Sequence, residues 1–323
     1  MTRAASCDVL VTRAMPGGFD VGGAGVRVLG DGLPDRQAVL EALPGASVLV
    51  SMFTDKVDAE MLEAAGGSLR GVCQYAVGTD NIDFKACRDA GVVVTNTPDA
   101  VTEGTADLAW ALLLAVARRV VEADEYARSE AYPGNGPLGM SDFLGADLTG
   151  RTLLIVGAGR IGRAMALRSL GWGMRVLYTA RSRKWDMELA PLAAERVELD
   201  EGLARADVVS VHTPLTEQTR RLIDKRRLGL MKPNAILINT ARGPVVDEAA
   251  LVEALQDGTI WGAGLDVFER EPVVHPGLIA AKNAVLTPHI GSAERRYREM
   301  MTAMVAQNVR AILAGEEPPN RVG

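Results

Sequence analysis

Apolar residues fall into short runs along the chain, separated by polar stretches with helical spacing. Runs at 9–11, 26–29, 47–50, 69–75 and 92–94, rich in Val and Leu, predict strands, and helical patterns lie over 35–43, 58–65 and 82–90. A run of βα units of this kind implies a parallel sheet covered on both faces. The pattern changes over 102–128. There Ala109, Leu112, Leu113, Val116, Ala117 and Val120 recur at helical spacing behind Thr102, a suitable N-cap. Over 108–117 every face is apolar, so one long helix is expected, buried all round, linking two domains or packing on a partner subunit. The stretch 131–150, with five Gly and two Pro, reads as a loop or a reaching arm.

A second series of alternating elements follows. Strands are predicted at 152–156, 174–179, 208–211, 235–238, 263–267 and 284–286, with helices at 163–171, 216–230 and 247–257. A last helix runs over about 293–313, with Tyr297, Met301, Met304, Val305, Asn308 and Ile312 on one stripe, and Gly315 and Pro318-Pro319 end it. Its stripe would complete the first domain.

Between the first two strands of this series stands Gly157-Ala-Gly159-Arg-Ile-Gly162. At a strand-to-helix turn Gly157 permits the tight bend, Gly159 lets the backbone approach a pyrophosphate, and Gly162 lets helix and strand pack closely. The N–H groups of the first helical turn then face an anion. The other glycine cluster, Gly22-Gly-Ala-Gly25, runs into a strand and not a helix, and reads as a loop. An acid about 20 positions beyond such a fingerprint binds a ribose 2′-hydroxyl, whereas an Arg accommodates a 2′-phosphate. The second strand here ends in Ala180-Arg181-Ser182-Arg183-Lys184, and the first acid is Asp186. Charge-assisted bonds of about 1.5–3 kcal/mol each would favour NADP(H), with NAD(H) still possible, unless the stretch is simply a solvated basic loop.

Composition narrows the picture. A chain of 323 residues suggests two domains, and 48% apolar with 24% charged residues is ordinary for a globular protein. A net charge of −6 argues against a nucleic-acid surface. Cys7, Cys73 and Cys87 form no metal or redox motif, and three histidines (His212, His275, His289) exclude a His-rich metal site, so no metal is expected. The longest apolar run, 108–117, is too short for a bilayer, and the N-terminus shows no leader, its apolar run being interrupted by Asp8. A cytoplasmic location in a reducing compartment, with no membrane partner, is the expectation.

Three strand ends of the second series carry candidate chemistry. They read Asn239-Thr-Ala-Arg242-Gly-Pro, then Glu269-Arg-Glu271-Pro, then Thr287-Pro-His289-Ile-Gly291-Ser. In parallel sheets ligands bind at the carboxyl ends of strands, so Arg242, Glu271 and His289 are expected to converge beside the dinucleotide. A guanidinium can hold a carboxylate and polarise the adjacent carbonyl. An imidazolium can supply a proton, worth roughly 10²–10⁴ in rate, and a carboxylate beside it favours the charged form.

Together with Val77-Gly-Thr-Asp-Asn-Ile-Asp83, Asn96-Thr-Pro98 and His212-Thr-Pro-Leu215, these motifs resemble the D-isomer-specific 2-hydroxyacid dehydrogenase family, nearest its glyoxylate/hydroxypyruvate reductase branch, from about Ser47 to Asn320. The resemblance implies an α/β fold of two Rossmann-like parallel-sheet domains. A cofactor domain (101–289) would be inserted into a flavodoxin-like substrate domain (1–100 and 290–323). It implies reduction of a small 2-oxo acid, with Arg242 as substrate anchor, His289 as acid/base and Glu271 as its partner. Backbone N–H groups of Val77 and Gly78 would hold the substrate carboxylate. Arg160 and Ile161 would meet the pyrophosphate, and Arg181, Ser182 and Arg183 the 2′-phosphate. Thr105, His212, Pro214, Thr240, Asp266 and Gly291 would line the nicotinamide half, with Asp266 accepting from the carboxamide. A homodimer through 102–145 is implied too.

Two positions depart from the branch. No Trp stands in the loop Tyr132-Pro-Gly-Asn-Gly-Pro-Leu-Gly139-Met, and Trp261 takes the place of a small residue, so the substrate side chain stays open. Rival readings within the family are longer 2-oxo acids or phosphite. Formate dehydrogenases carry Gln at the position of Glu271, and phosphoglycerate dehydrogenases often add a regulatory domain. A rival of another class is a nucleotide-sensing co-repressor, for which an acid/base set has no use.

Overall fold

The computed structural model describes residues 7–323, so the reading of a leaderless N-terminus lies partly outside the described residues, at 1–6. The chain forms two compact units, one ending at Val101 and resumed by Ser292–Gly323, the other spanning Thr102–Gly291. The second is thus inserted into the first.

The first unit holds strands β1 (Val9–Val11), β2 (Val26–Val28), β3 (Val48–Ser51), β4 (Gly71–Gln74) and β5 (Val93–Thr95). They are parallel in the order β5-β4-β3-β1-β2, a flavodoxin-like arrangement, and the two-residue strand Arg321–Val322 pairs antiparallel on the β5 edge. Helices Arg36–Ala42, Ala59–Ala64 and Phe84–Asp89 connect them, the latter two capped by Asp58 and Asp83. The long helix Arg295–Ala314 packs on β3 and β4 through Met301, Val305, Val309 and Ile312. A Cβ at Gly71 would stand 2.6 Å from Ile312 Cδ1, so the glycine admits the helix at that point. Tyr297 and Met304, expected on the same stripe, are only half-buried.

The second unit is a seven-stranded parallel sheet: β6 (Thr152–Val156), β7 (Arg175–Thr179), β8 (Glu195–Arg196), β9 (Val208–Val211), β10 (Ile236–Asn239), β11 (Gly262–Leu265) and β12 (Ala284–Leu286). The order is β12-β11-β10-β9-β6-β7-β8. Successive strands run outward in one direction from β6 to β8 and in the other from β9 to β12. The topological switch point therefore lies between β6 and β9. Most of these strands are buried throughout, as continuous apolar runs require.

Two helical expectations and one loop expectation differ from the structure. The stretch 102–128 is two helices, Thr102–Ala117 and Val120–Arg128, because Arg119 adopts the left-handed region at φ 53°. The apolar surface of Thr102–Ala117 is consumed inside its own unit, against the helix Arg160–Arg168 and strands β10, β11 and β12. Glycines in β11 make the room: a Cβ at Gly264 would lie 2.8 Å from Leu112 Cβ, and one at Gly262 2.8 Å from Val116 Cγ1. Next, 216–230 contains only the helix Lys225–Leu228. Thr216 and Thr219 bond each other's backbone and side chains in a turn, which competes with a helix. Finally, 131–150 holds one short helix, Ala131–Asn135, before an irregular segment.

Candidate active site

Because every strand of the second sheet points the same way, the residues beyond β6, β7, β9, β10, β11 and β12 all emerge at one edge. At the switch point Gly157 has φ 99°, and a Cβ there would lie 2.8 Å from Thr213 Cγ2 and 2.9 Å from His212 C. The glycine turn is thus pressed against the segment leaving β9. Gly162 packs as closely, its imagined Cβ falling 2.4 Å from Gly157 O and 2.8 Å from Ile155 Cγ2. Gly159 is different: nothing lies within 4 Å of a Cβ there, and it is the N-cap of the helix Arg160–Arg168. The helix begins three residues earlier than its apolar pattern suggests. Arg160 and Ile161 therefore stand in its first turn, where N–H groups lack intrahelical acceptors.

Two buried hydroxyls line the same edge without a hydrogen bond among the described residues, Thr213 Oγ1 after β9 and Thr240 Oγ1 after β10. Orphaned buried hydroxyls are uncommon and mark a place where a polar ligand can supply the partner. The open space at Gly159, the first-turn N–H groups and these hydroxyls fit a dinucleotide. Sequence reasoning gives Thr213 no role of its own, although it lies within His212-Thr-Pro-Leu215 just after a predicted strand. His212 bonds Ser210 Oγ through Nε2 at 2.8 Å, and burial pushes its imidazole down to about 3, so it is neutral. Pro214 lies two residues on and is exposed.

Asp266, just after β11, is 1% exposed and ties up the segment after β12. Its Oδ1 accepts from the Thr287 hydroxyl at 2.6 Å and from Ile290 N–H at 2.8 Å, and its Oδ2 from Gly291 N–H at 2.8 Å. Burial pushes this carboxyl above the ordinary carboxylate range, opposed by those donors and by the charge of His289. A Cβ at Gly291 would meet Asp266 Oδ2 at 3.2 Å and Thr105 Oγ1 at 3.3 Å, so Thr105, Asp266 and Gly291 come together as a group.

His289 is held in the left-handed region at φ 55°. Its Nδ1 lies 2.8 Å from Glu271 Oε2, with side-chain exposures of 24% and 29%. Glu271 Oε1 is taken by Phe268 N–H at 3.0 Å. Burial raises the Glu271 carboxyl, but the His289 hydrogen bond and charge, Phe268 N–H and the Arg242 charge outweigh it and bring the carboxyl below its ordinary value. Arg242 comes after β10 on extended backbone, its carbonyl accepting from Asn239 Nδ2 at 3.0 Å and its Nη1 donating to Ala241 O at 2.7 Å. The cation, the carboxylate and the imidazole drawn from three separated segments therefore meet on one edge of one unit.

The basic segment after β7 is not a bare loop. Arg183 Nε pairs with Glu188 Oε2 at 2.5 Å, and its guanidinium stacks 3.9 Å above the Trp185 ring. Glu188 is returned by the short helix Trp185–Glu188 and also accepts from Tyr178 Oη. The acid closest in sequence, Asp186, turns instead to Arg163 at 3.0 Å. Trp261 stands at the amino end of β11, the end opposite these residues. Val77 and Gly78 belong to the first unit, where Asn96 Nδ2 and Gln74 Nε2 donate to their carbonyls at 2.9 and 3.2 Å.

A doubly wound parallel unit with a glycine turn at its switch point and an Arg–Glu–His set on the same edge defines a nicotinamide-dependent oxidoreductase. The model for the NAD binding domain of D-isomer specific 2-hydroxyacid dehydrogenases matches residues 110–291. A glyoxylate reductase of Thermococcus litoralis is 51% identical over 90% of this chain and 87% of its own length, and one of Aeropyrum pernix is 46% identical over 90% and 86%. Among solved structures, a protein of Thermus thermophilus superposes with a TM-score of 0.90 at 47% identity, covering 98% of this chain and 99% of its own. The NADPH-dependent glyoxylate/hydroxypyruvate reductase of Sinorhizobium meliloti, solved with NADP and malonate, gives 0.84 at 32% over 98% and 97%. The chain belongs to the D-isomer specific 2-hydroxyacid dehydrogenase family, in its glyoxylate reductase branch, and is an NAD(P)-dependent oxidoreductase acting on a CH–OH group.

Proposed function

We propose that this protein reduces small 2-oxo acids, glyoxylate or hydroxypyruvate foremost, to D-2-hydroxy acids, with NADPH preferred over NADH. The observation that carries the reading is the 2.8 Å contact of His289 Nδ1 with Glu271 Oε2, within the electrostatic reach of Arg242. When bound, the nicotinamide coenzyme supplies the hydride for the carbonyl carbon. Gly157, Gly159, Gly162, Arg160 and Ile161 would hold its pyrophosphate. Thr105, His212, Pro214, Thr240, Asp266 and Gly291 would line its nicotinamide half.

The chain's own residues do the rest. Arg242 holds the substrate carboxylate and polarises the 2-oxo group. Glu271, ionised and able only to accept, keeps the proton on His289 Nδ1 and leaves Nε2 to deliver its proton to the carbonyl oxygen. Val77 and Gly78 as donors to the carboxylate rest on the family resemblance. Arg181, Ser182 and Arg183 would take the 2′-phosphate, Arg183 being already oriented by Glu188 and Trp185. The three thiols are free, and burial pushes Cys73 up to about 12 and Cys87 up to about 11, in keeping with a reducing, cytoplasmic setting. We also propose a homodimer through 102–145.

The deciding experiment compares kcat/KM for NADPH and NADH across glyoxylate, hydroxypyruvate, pyruvate and longer 2-oxo acids. Efficient turnover of glyoxylate or hydroxypyruvate with NADPH supports the assignment. NADPH binding with no turnover across the panel refutes it.

A further inference from the structure

The loop that carries Glu271 is fastened to a helix whose residues take no part in the chemistry above. Glu248 opens the helix Glu248–Gln256, which Asp247 caps by accepting from Ala250 N–H at 3.1 Å. The Glu248 side chain turns inward, the residue being 6% exposed. Its Oε1 accepts from Glu269 N–H at 2.5 Å, while Glu269 Oε1 accepts from Glu248 N–H at 3.5 Å. The two acids therefore clasp one another's backbone. Glu271, two residues beyond, has one oxygen on Phe268 N–H and the other on His289 Nδ1.

The same loop is touched from the Arg242 side. A Cβ at Gly243 would stand 1.9 Å from Phe268 C and 2.0 Å from Phe268 O, so the residue after Arg242 lies directly on the peptide that the clasp holds. Arg221 approaches the clasp from outside, 3.6 Å from Asp247 and 3.8 Å from Glu269. Burial pushes the Glu248 carboxyl above its ordinary range and the Glu269 charge adds to this, against the Glu269 N–H and the charges of His275 and Arg270. A neutral amide of equal length is therefore a fair substitute for it.

We propose that Glu248 is a positioning residue for the reduction: by accepting from Glu269 N–H it fixes the 268–271 loop so that Glu271 Oε2 stays on His289 Nδ1. The role rests on the reading of Glu271 and His289 as the acid/base pair. What matters is an acceptor at the end of a three-carbon reach, not a charge. Glu248→Gln keeps that acceptor, Glu248→Asp withdraws it by one methylene, and Glu248→Ala removes it.

Two readouts test this. The first is the low-field NMR signal of the His289 Nδ1 proton, recorded without substrate or coenzyme and assigned by its loss in Glu271→Gln. The second is kcat beside the Kd for NADPH. Glu248→Asp and Glu248→Ala should lose the signal and roughly a hundredfold in kcat, the scale of a small misplacement at a reacting group, with coenzyme Kd unchanged. Glu248→Gln should keep both. If Glu248→Ala does not fold, the Asp and Gln variants decide between them. Retention of signal and turnover in Glu248→Asp would overturn the proposal, as would an equal loss in Glu248→Gln. Undiminished turnover in His289→Ala would instead remove the acid/base reading, while the signal in Glu248→Asp would still report on the clasp.

Discussion

The main-chain N–H of His289 donates to the Asp266 carbonyl at 2.8 Å, while the Asp266 carboxylate takes the N–H groups of the next two residues. With the Thr287 hydroxyl, one residue thus holds the imidazole-bearing segment at four points, which stabilises the left-handed conformation of His289 that would otherwise cost of order 1–3 kcal/mol. Asp266→Asn puts an amide NH₂ in place of one acceptor and faces it with a backbone N–H. The unsatisfied group should cost about 1–3 kcal/mol of stability. The variant should melt below the wild type and lose kcat together with stability. Calorimetry and steady-state kinetics on one preparation check this, and an unchanged Tm would contradict it.

His289→Ala removes the proton source and should lower kcat by roughly 10²–10⁴ while coenzyme binding is retained. Steady-state kinetics with glyoxylate and NADPH, with coenzyme Kd measured by fluorescence, test both statements, and undiminished turnover in the variant would contradict the first.

Glu271 should also leave its mark on stability. Its carboxyl is held below the ordinary value in the folded chain. A depressed folded pKa means stability that is present above the unfolded value, about 4.3 for Glu, and lost as pH falls through the folded value. The stability gap between wild type and Glu271→Gln should therefore be full near neutrality and close below about pH 4. Denaturant titrations at about pH 7 and about pH 3.5, on either side of that range, measure it, and a gap that widens in acid would reverse the sign of the argument.

The glycine turn separates folding from binding. A Cβ at Gly162 would be forced within 2.4 Å of a carbonyl oxygen, so Gly162→Ala should destabilise by about 1–3 kcal/mol through overpacking. Gly159, with open space around its Cβ position and a negative φ, should accept Ala with Tm unchanged. If the space belongs to a pyrophosphate, Gly159→Ala should nevertheless weaken NADPH binding tenfold or more, a loss of about 1.4 kcal/mol. Unaltered affinity in Gly159→Ala would move the phosphate site elsewhere.

Much of the fold and the site is legible in the sequence because the signals are local. Buried parallel strands such as 152–156 and 208–211 are largely apolar runs, and a strand followed by Gly157-Ala-Gly159 has few other meanings. The strand ends carrying Arg242, Glu271 and His289 can be aligned once the sheet is taken as parallel. The features that escape a sequence reading depend on tertiary partners. The break at Arg119 involves no Gly or Pro, and the left-handed residue leads into a helix start where Arg119 pairs with Glu122 at 2.7 Å. Glu188 reaches Arg183 only because a single helical turn brings it back. The apolar surface of 108–117 identifies a buried helix but not its neighbours, which glycines in β11 supply.

With Thr102–Ala117 packed inside its own unit, the proposed subunit contact falls to the residues beyond Ala117. The helix Val120–Arg128 buries no residue, and Val120, Val121, Tyr132, Leu138, Met140 and Leu144 are all exposed, Met140 at 94%. The segment is nevertheless ordered by its own aromatics: Tyr126 packs on Tyr132 and Phe143 at ring distances of 5.7 and 5.4 Å, and Arg119 lies 5.1 Å over Phe143. A shaped segment that displays this many large apolar side chains is expected to be covered. Met140→Glu with Leu144→Glu should therefore convert a dimer to a monomer in sedimentation velocity without disturbing the fold of either unit by circular dichroism. A dimer that persists in the double variant would exclude this part of 102–145 from the contact.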